Sequence, residues 1–247
     1  MITDPWFYAI AIPAVLLMGL SKSGFGAGLG SLATPLLALA VPVPQAAAIM
    51  LPLLLVMDAV GVKALFLQRD RALIRLLLPA GLLGTLLGTL SFGVLSSKTV
   101  AGVVGALTLL FLAQRLLFPP HADAKPPPRW LGFGLGIASG FTSFVAHAGT
   151  PPVSAYVLPL RLAPITFTAT MATFFAAVNL SKWIPYAWLG LIDGRNLLTS
   201  LALVPLAPVG VWIGVRLVPH VPQKVFYQLV YGGMLLTGTK LLWDGLR

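Results

Sequence analysis

Residues 139–152 (SGFTSFVAHAGTPP) set hydroxyls, a histidine, two glycines and a proline pair inside an otherwise apolar sequence, and residues 23–35 (SGFGAGLGSLATP) repeat the arrangement. Ser-Gly-Phe and the following Thr-Pro stand at the same separation in both runs. Gly and Pro are poor interior helix residues, so both runs are expected to be non-helical and to face each other, and the N–H groups freed by such a break can hold an anion. Lys22 directly precedes the first run, where its ammonium would add positive potential. The donors assigned to a small anion are Lys22, Ser23, Gly24 and Gly26 from the first run and Ser139, Gly140, His147 and Gly149 from the second. Asn179 and Lys182 join them from residues 174–182 (FFAAVNLSK).

Asp58 stands apart from the other acidic residues, because it falls in the middle of the apolar stretch 45–66. An ionisable group at that depth is costly and marks a functional site, here a proton-coupling group. The competing reading is a carboxyl that ties helices together through Lys22 or Lys63. Its approximate counterpart in the second half is Asn179, so one position of the pair can titrate and the other cannot. Lys182 admits a second reading too, a side chain that snorkels to the membrane interface. His121 and His220 lie in a linker and a turn, which leaves His147 in an apolar context. It reads equally as a satisfied packing residue and as an anion donor or proton relay. No second His or Cys stands at ligand spacing, and the chain has no cysteine at all, so no metal site, cofactor, disulfide or thiol nucleophile is expected.

The elements that must carry these residues are membrane spans. Of 247 residues 58% are hydrophobic and only 9% charged, and the mean hydropathy is +0.94. Apolar stretches at 7–20, 45–66, 73–92, 99–118, 164–186, 197–217 and 226–243 are each roughly long enough to cross a hydrocarbon core, which takes about 20 helical residues. The N-terminal stretch holds Asp4 and no Lys or Arg, unlike the basic start of a cleaved signal peptide, so the first apolar segment is expected to be retained. The net charge of +10 comes mainly from basic residues between the apolar stretches, where they set topology and meet lipid headgroups; no nucleic-acid role follows. Trp6, Trp130, Trp188 and Trp243 fall near segment ends, as interfacial anchors do.

The linker 119–129 (PPHADAKPPPR) separates a first repeat, 1–118, from a second, 130–247. Pro79, Gly84, Gly88 and Lys98 recur at a constant offset as Pro205, Gly210, Gly214 and Lys224. The expected fold is therefore an all-α polytopic membrane protein with a two-fold internal repeat, each half a broken or re-entrant helical element plus three transmembrane helices, about eight membrane segments in all. If the basic loops at 69–75 and 115–129 are cytoplasmic, the Lys98 turn lies outside, yet the matching basic turn 216–224 also prefers the cytoplasm. That mismatch favours inverted repeats over parallel ones. The glycines at 81–88 and 210–214 are read as sites of close helix packing. Those at 24–30 are not a dinucleotide fingerprint, since no strand precedes them.

The paired breaks, the run Ser-Gly-Phe…His-Ala-Gly-Thr-Pro-Pro, the stretch Phe-Phe…Asn-Leu-Ser-Lys and the repeat together resemble the sulfite exporter TauE/SafE family of bacterial membrane transporters, over essentially the whole chain. Thr150 stands where such proteins often show another Gly. The resemblance implies a multi-pass protein of the bacterial cytoplasmic membrane that exports a small anion such as sulfite or an organosulfonate. Alternating access is the expected mechanism. A passive anion channel and an intramembrane enzyme are the alternatives, the second with an incomplete catalytic set. The oligomeric state, a homodimer included, is left open.

Overall fold

The computed structural model describes residues 1–22, 30, 33–92, 96–117, 126–217 and 220–246. Ser23, Gly24 and Gly26, and most of the linker, lie outside the described residues. Twelve helices are described: α1 (Pro5–Lys22), α2 (Ala33–Leu37), α3 (Val43–Leu65), α4 (Arg71–Leu90), α5 (Ser97–Leu117), α6 (Arg129–Ala146), α7 (Thr150–Val157), α8 (Pro164–Ser181), α9 (Trp183–Trp188), α10 (Gly194–Leu203), α11 (Leu206–Leu217) and α12 (Gln223–Leu246). No strand occurs among the described residues. Among the described residues three stretches, Pro5–Lys22, Pro44–Gln68 and Arg71–Leu90, are individually long and apolar enough to cross a membrane; α10 and α11, bent by 44° at their break, pass the same test only when taken together as one span.

Local chemistry sets the helix starts. Asp70 caps α4 by accepting from the N–H groups of Ala72 and Leu73 at 2.8 and 3.0 Å, and Asp193 caps α10 by accepting from Asn196 N–H at 2.7 Å. Prolines open α3, α7 and α8, where a missing N–H costs nothing. Two of the expected spans are interrupted. Residues 164–186 divide at Lys182, because Pro185 cannot donate back to Ser181. Residues 197–217 divide around Pro205, whereas the matching Pro79 sits inside an unbroken α4.

The second polar run also departs from expectation. It is not non-helical throughout: α6 runs through Ser139 and Gly140 to Ala146, and the break is confined to His147–Gly149. The helix holds because Ser139, Gly140, Thr142 and Ser143 are buried against protein, with Ser139 and Thr142 hydroxyls bonding backbone carbonyls. His147 closes it in the left-handed conformation (φ 52°), its N–H bonding Ser143 carbonyl oxygen. Gly149 and the Pro151-Pro152 pair then start α7.

The two halves of the chain interlock. Helix α4 packs along α6, and α1 packs on α11. The α4–α6 approach is backbone on backbone: a Cβ on Gly140 would fall 1.9 Å from Gly81 carbonyl oxygen, and one on Gly84 would fall 2.0 Å from that of Ile137. This is the close packing expected of residues 81–88, and Gly210 against Gly19 repeats it between α11 and α1. Helices α3 and α8 run antiparallel, since Asp58 meets Asn179 while Asp70, beyond the end of α3, meets Thr170. Helices α5 and α12 do the same, with Gly102 beside Gly245 and Leu109 beside Gly238.

Candidate functional site

Where α1, α3 and α8 meet the α6–α7 break, the polar residues of the membrane interior join into one network. Lys22, the last residue of α1, donates to Asp58 Oδ1 at 2.6 Å. Asn179 donates through Nδ2 to Asp58 Oδ2, also at 2.6 Å, and accepts at Oδ1 from Lys182 at 2.8 Å. Lys182 Nζ also lies 2.7 Å from both the carbonyl and the hydroxyl oxygen of Ser143 and 3.1 Å from His147 Nδ1, so four acceptors surround a group with at most three N–H donors. His147 Nε2 lies 3.0 Å from Ala47 carbonyl oxygen. A carbonyl only accepts, so Nε2 carries the hydrogen and Nδ1 is the acceptor that faces Lys182.

The left-handed turn at His147 is what aims its ring back across the bundle. The i, i+3 spacing of Asn179 and Lys182 places both on one side of α8's last turn. Tyr186 closes the floor, donating its hydroxyl to Phe144 carbonyl oxygen at 2.6 Å.

The charge balance of this cluster is uneven. Lys182 is fully buried, with 0% exposure, and Asp58 is 2% exposed. Asp58 pairs with Lys22, not Lys63, whereas Lys182 has no carboxylate partner among the described residues and rests on neutral acceptors. Snorkelling is thus not what Lys182 does. Two basic side chains thus stand with one carboxylate, and an anion arriving beside them would supply Lys182 with the counter-charge it lacks.

A cavity with about 540 Å³ of empty space, part of it open to solvent, runs beside the network. Lys22, Ser143, His147 and Asn179 give it a polar wall, and Met18, Leu54, Met171 and Phe175 an apolar one. The Lys22 ammonium also stands 5.1 Å from the centre of the Phe175 ring.

Of the residues singled out in the sequence, the structure brings Lys22, Asp58, His147, Asn179 and Lys182 together. Ser139, Gly140 and Gly149 stand behind them and do not line the cavity. Ser139 donates its hydroxyl to Gly149 carbonyl oxygen at 2.6 Å, which satisfies backbone freed by the break. Sequence reasoning passed over Ser143 and the Ala47 carbonyl. Ser143 carried a signal, its i, i+4 spacing to His147. No group of His, Cys, Asp or Glu among the described residues has the geometry to hold a metal.

An interlocked helical membrane protein with a charged cluster beside an internal cavity has the build of a transporter. A match to the family described as sulfite exporter TauE/SafE spans residues 11–241, and the chain belongs to that family. Comparison with curated proteins and with solved structures found no match.

Proposed function

We propose that the protein is a secondary transporter of the bacterial cytoplasmic membrane that exports a small oxyanion, sulfite or an organosulfonate, by alternating access with proton coupling. The observation that carries this reading is the grouping beside the cavity of two basic side chains, Lys22 and the fully buried Lys182, with a single carboxylate, Asp58. Asp58 holds the Lys22 ammonium in the place an anion would take. Protonating Asp58 releases Lys22 toward the cavity, so proton and anion favour each other's binding, and by linkage the preference is mutual. A dianion carried with one proton still leaves with net negative charge, which a membrane negative on the inside drives outward by about 2.3 kcal/mol per charge per 100 mV.

Architecture supports the same reading. With the Arg71 end of α4 cytoplasmic, the halves 1–118 and 130–247 read as inverted repeats with eight membrane segments and α6–α7 as a re-entrant element, a reading that the antiparallel pairs α3/α8 and α5/α12 support. That arrangement puts Arg69, Arg75, Arg129, Arg161, Arg216 and Lys224 on one side, in accord with the excess of basic residues in cytoplasmic loops.

The test is transport by purified protein in liposomes, over sulfite, sulfate, thiosulfate, sulfoacetate and taurine with an imposed pH gradient. Accumulation of one anion against its concentration gradient is expected. Equilibration without accumulation identifies a passive channel, and no movement of any of the five refutes the transporter reading.

A further inference from the structure

The cavity contains a polar group that the network leaves untouched. Thr168, on α8, lines the cavity and is 1% exposed, yet its hydroxyl has no hydrogen-bond partner. A buried hydroxyl without a partner is destabilising, and native proteins seldom keep one without use. Its neighbours on the same helix avoid the cost: Thr170 and Thr173 donate to the carbonyls of Thr166 and Ala169 at 2.7 and 2.8 Å. Thr34 and Ser154 also carry unpartnered hydroxyls, but neither lines the cavity.

Thr168, Ala172, Phe175 and Asn179 form one stripe along α8 facing the cavity. At 1.5 Å per residue, Thr168 lies about 16 Å along the axis from Asn179 and about 10 Å from Phe175, beside which Lys22 sits. A small oxyanion cannot touch both ends of the stripe at once.

We propose that Thr168 is a substrate-contacting residue, a second station where an oxyanion oxygen accepts its hydroxyl hydrogen on the way to or from the Lys22–Asn179 site. The inference rests on the transporter reading above and adds a position on the path. A merely structural threonine would already be bonded to a carbonyl, as Thr170 is.

The experiment compares wild type, Thr168→Val, Thr168→Ser and Thr170→Val for sulfite exchange in liposomes, for equilibrium sulfite binding and for thermal stability without substrate. Losing a hydrogen bond to a charged oxygen is expected to lower the exchange rate of Thr168→Val about ten- to a hundredfold. Binding at the Lys22 site should stay within about twofold, and Thr168→Ser should exchange like wild type. The melting temperature of Thr168→Val should equal or exceed that of wild type, since an unsatisfied buried hydroxyl has gone, whereas Thr170→Val should melt lower. Exchange by Thr168→Val at the wild-type rate overturns the second station and leaves the transporter reading standing. A lowered melting temperature in Thr168→Val also overturns it, in favour of a structural role. Where wild type moves another of the five anions and not sulfite, that anion is the probe in each measurement, and failure of wild type to exchange any of the five overturns both.

Discussion

Asp58 decides whether the site is a transporter's coupling centre or a structural clasp, because its carboxylate holds both Lys22 and Asn179 at 2.6 Å. Asn at this position imitates the protonated acid: it keeps an oxygen toward Lys22 and removes the charge. The fold should persist in Asp58→Asn at a cost near the low end of the roughly 3–5 kcal/mol for breaking a buried pair, since Lys22 reaches the cavity. Accumulation driven by a pH gradient should then vanish while exchange of sulfite for sulfite continues. Accumulation that survives in Asp58→Asn makes the pair a clasp. Lys22→Ala should lower sulfite exchange about ten- to a hundredfold at matched protein levels, the loss of one charge-assisted hydrogen bond. Arg71→Ala, at the exposed start of α4, should change it less than twofold; equal effects would remove Lys22 from the site. The residues of the network were legible in the sequence for one reason: a charge, an amide or an imidazole in an apolar stretch is expensive enough to stand out. Hydroxyls are cheap, and many occur here, so only its spacing to His147 marked Ser143, and nothing in the sequence distinguished Thr168 from Thr170.

Between elements, the glycine spacing was readable as close packing, while the helix ends were not. Pro79 and Pro205 occupy matching positions, yet one is absorbed into α4 and the other bends α10 from α11 by 44°. A proline costs a helix one hydrogen bond in either place; tertiary packing decides whether the helix yields. The same holds for Ser139 and Gly140, where glycine and serine suggested a break but burial of α6 against α4 kept the helix. Packing that tight makes a sharp prediction. A methyl group on Gly140 meets the carbonyl of Gly81 at 1.9 Å, and neither backbone can retreat within its helix. Gly140→Ala should cost about 1–3 kcal/mol or more as overpacking. Gly134→Ala, on the same helix with nothing within 4 Å, should be neutral or gain up to about 1 kcal/mol from helix propensity. Thermal unfolding of the two variants in detergent, read side by side, checks the pair. Similar melting temperatures would mean that α4 and α6 are not in backbone contact.

At the scale of the whole molecule, the relation between the halves is a question of orientation, which basic residues hinted at and antiparallel helix pairs make testable. Lys98 and Lys224 match in sequence, near the starts of α5 and α12, but those helices run in opposite directions: Gly102 near the start of α5 lies beside Gly245 near the end of α12. Parallel repeats would put the two starts on the same side of the membrane. Inverted repeats put them on opposite sides, with the Lys224 turn sharing the cytoplasmic side with Arg71. The chain contains no cysteine, so single substitutions report topology without background. Arg71→Cys, Ser96→Cys and Lys224→Cys all replace exposed residues at helix starts or turns. In intact cells a membrane-impermeant maleimide should label the Ser96 variant and leave the Arg71 and Lys224 variants unlabelled until the membrane is opened. Labelling of the Ser96 and Lys224 variants together from one side would make the repeats parallel. It would also remove the re-entrant reading of α6 and α7, because that reading needs α8 to start on the side where α6 began.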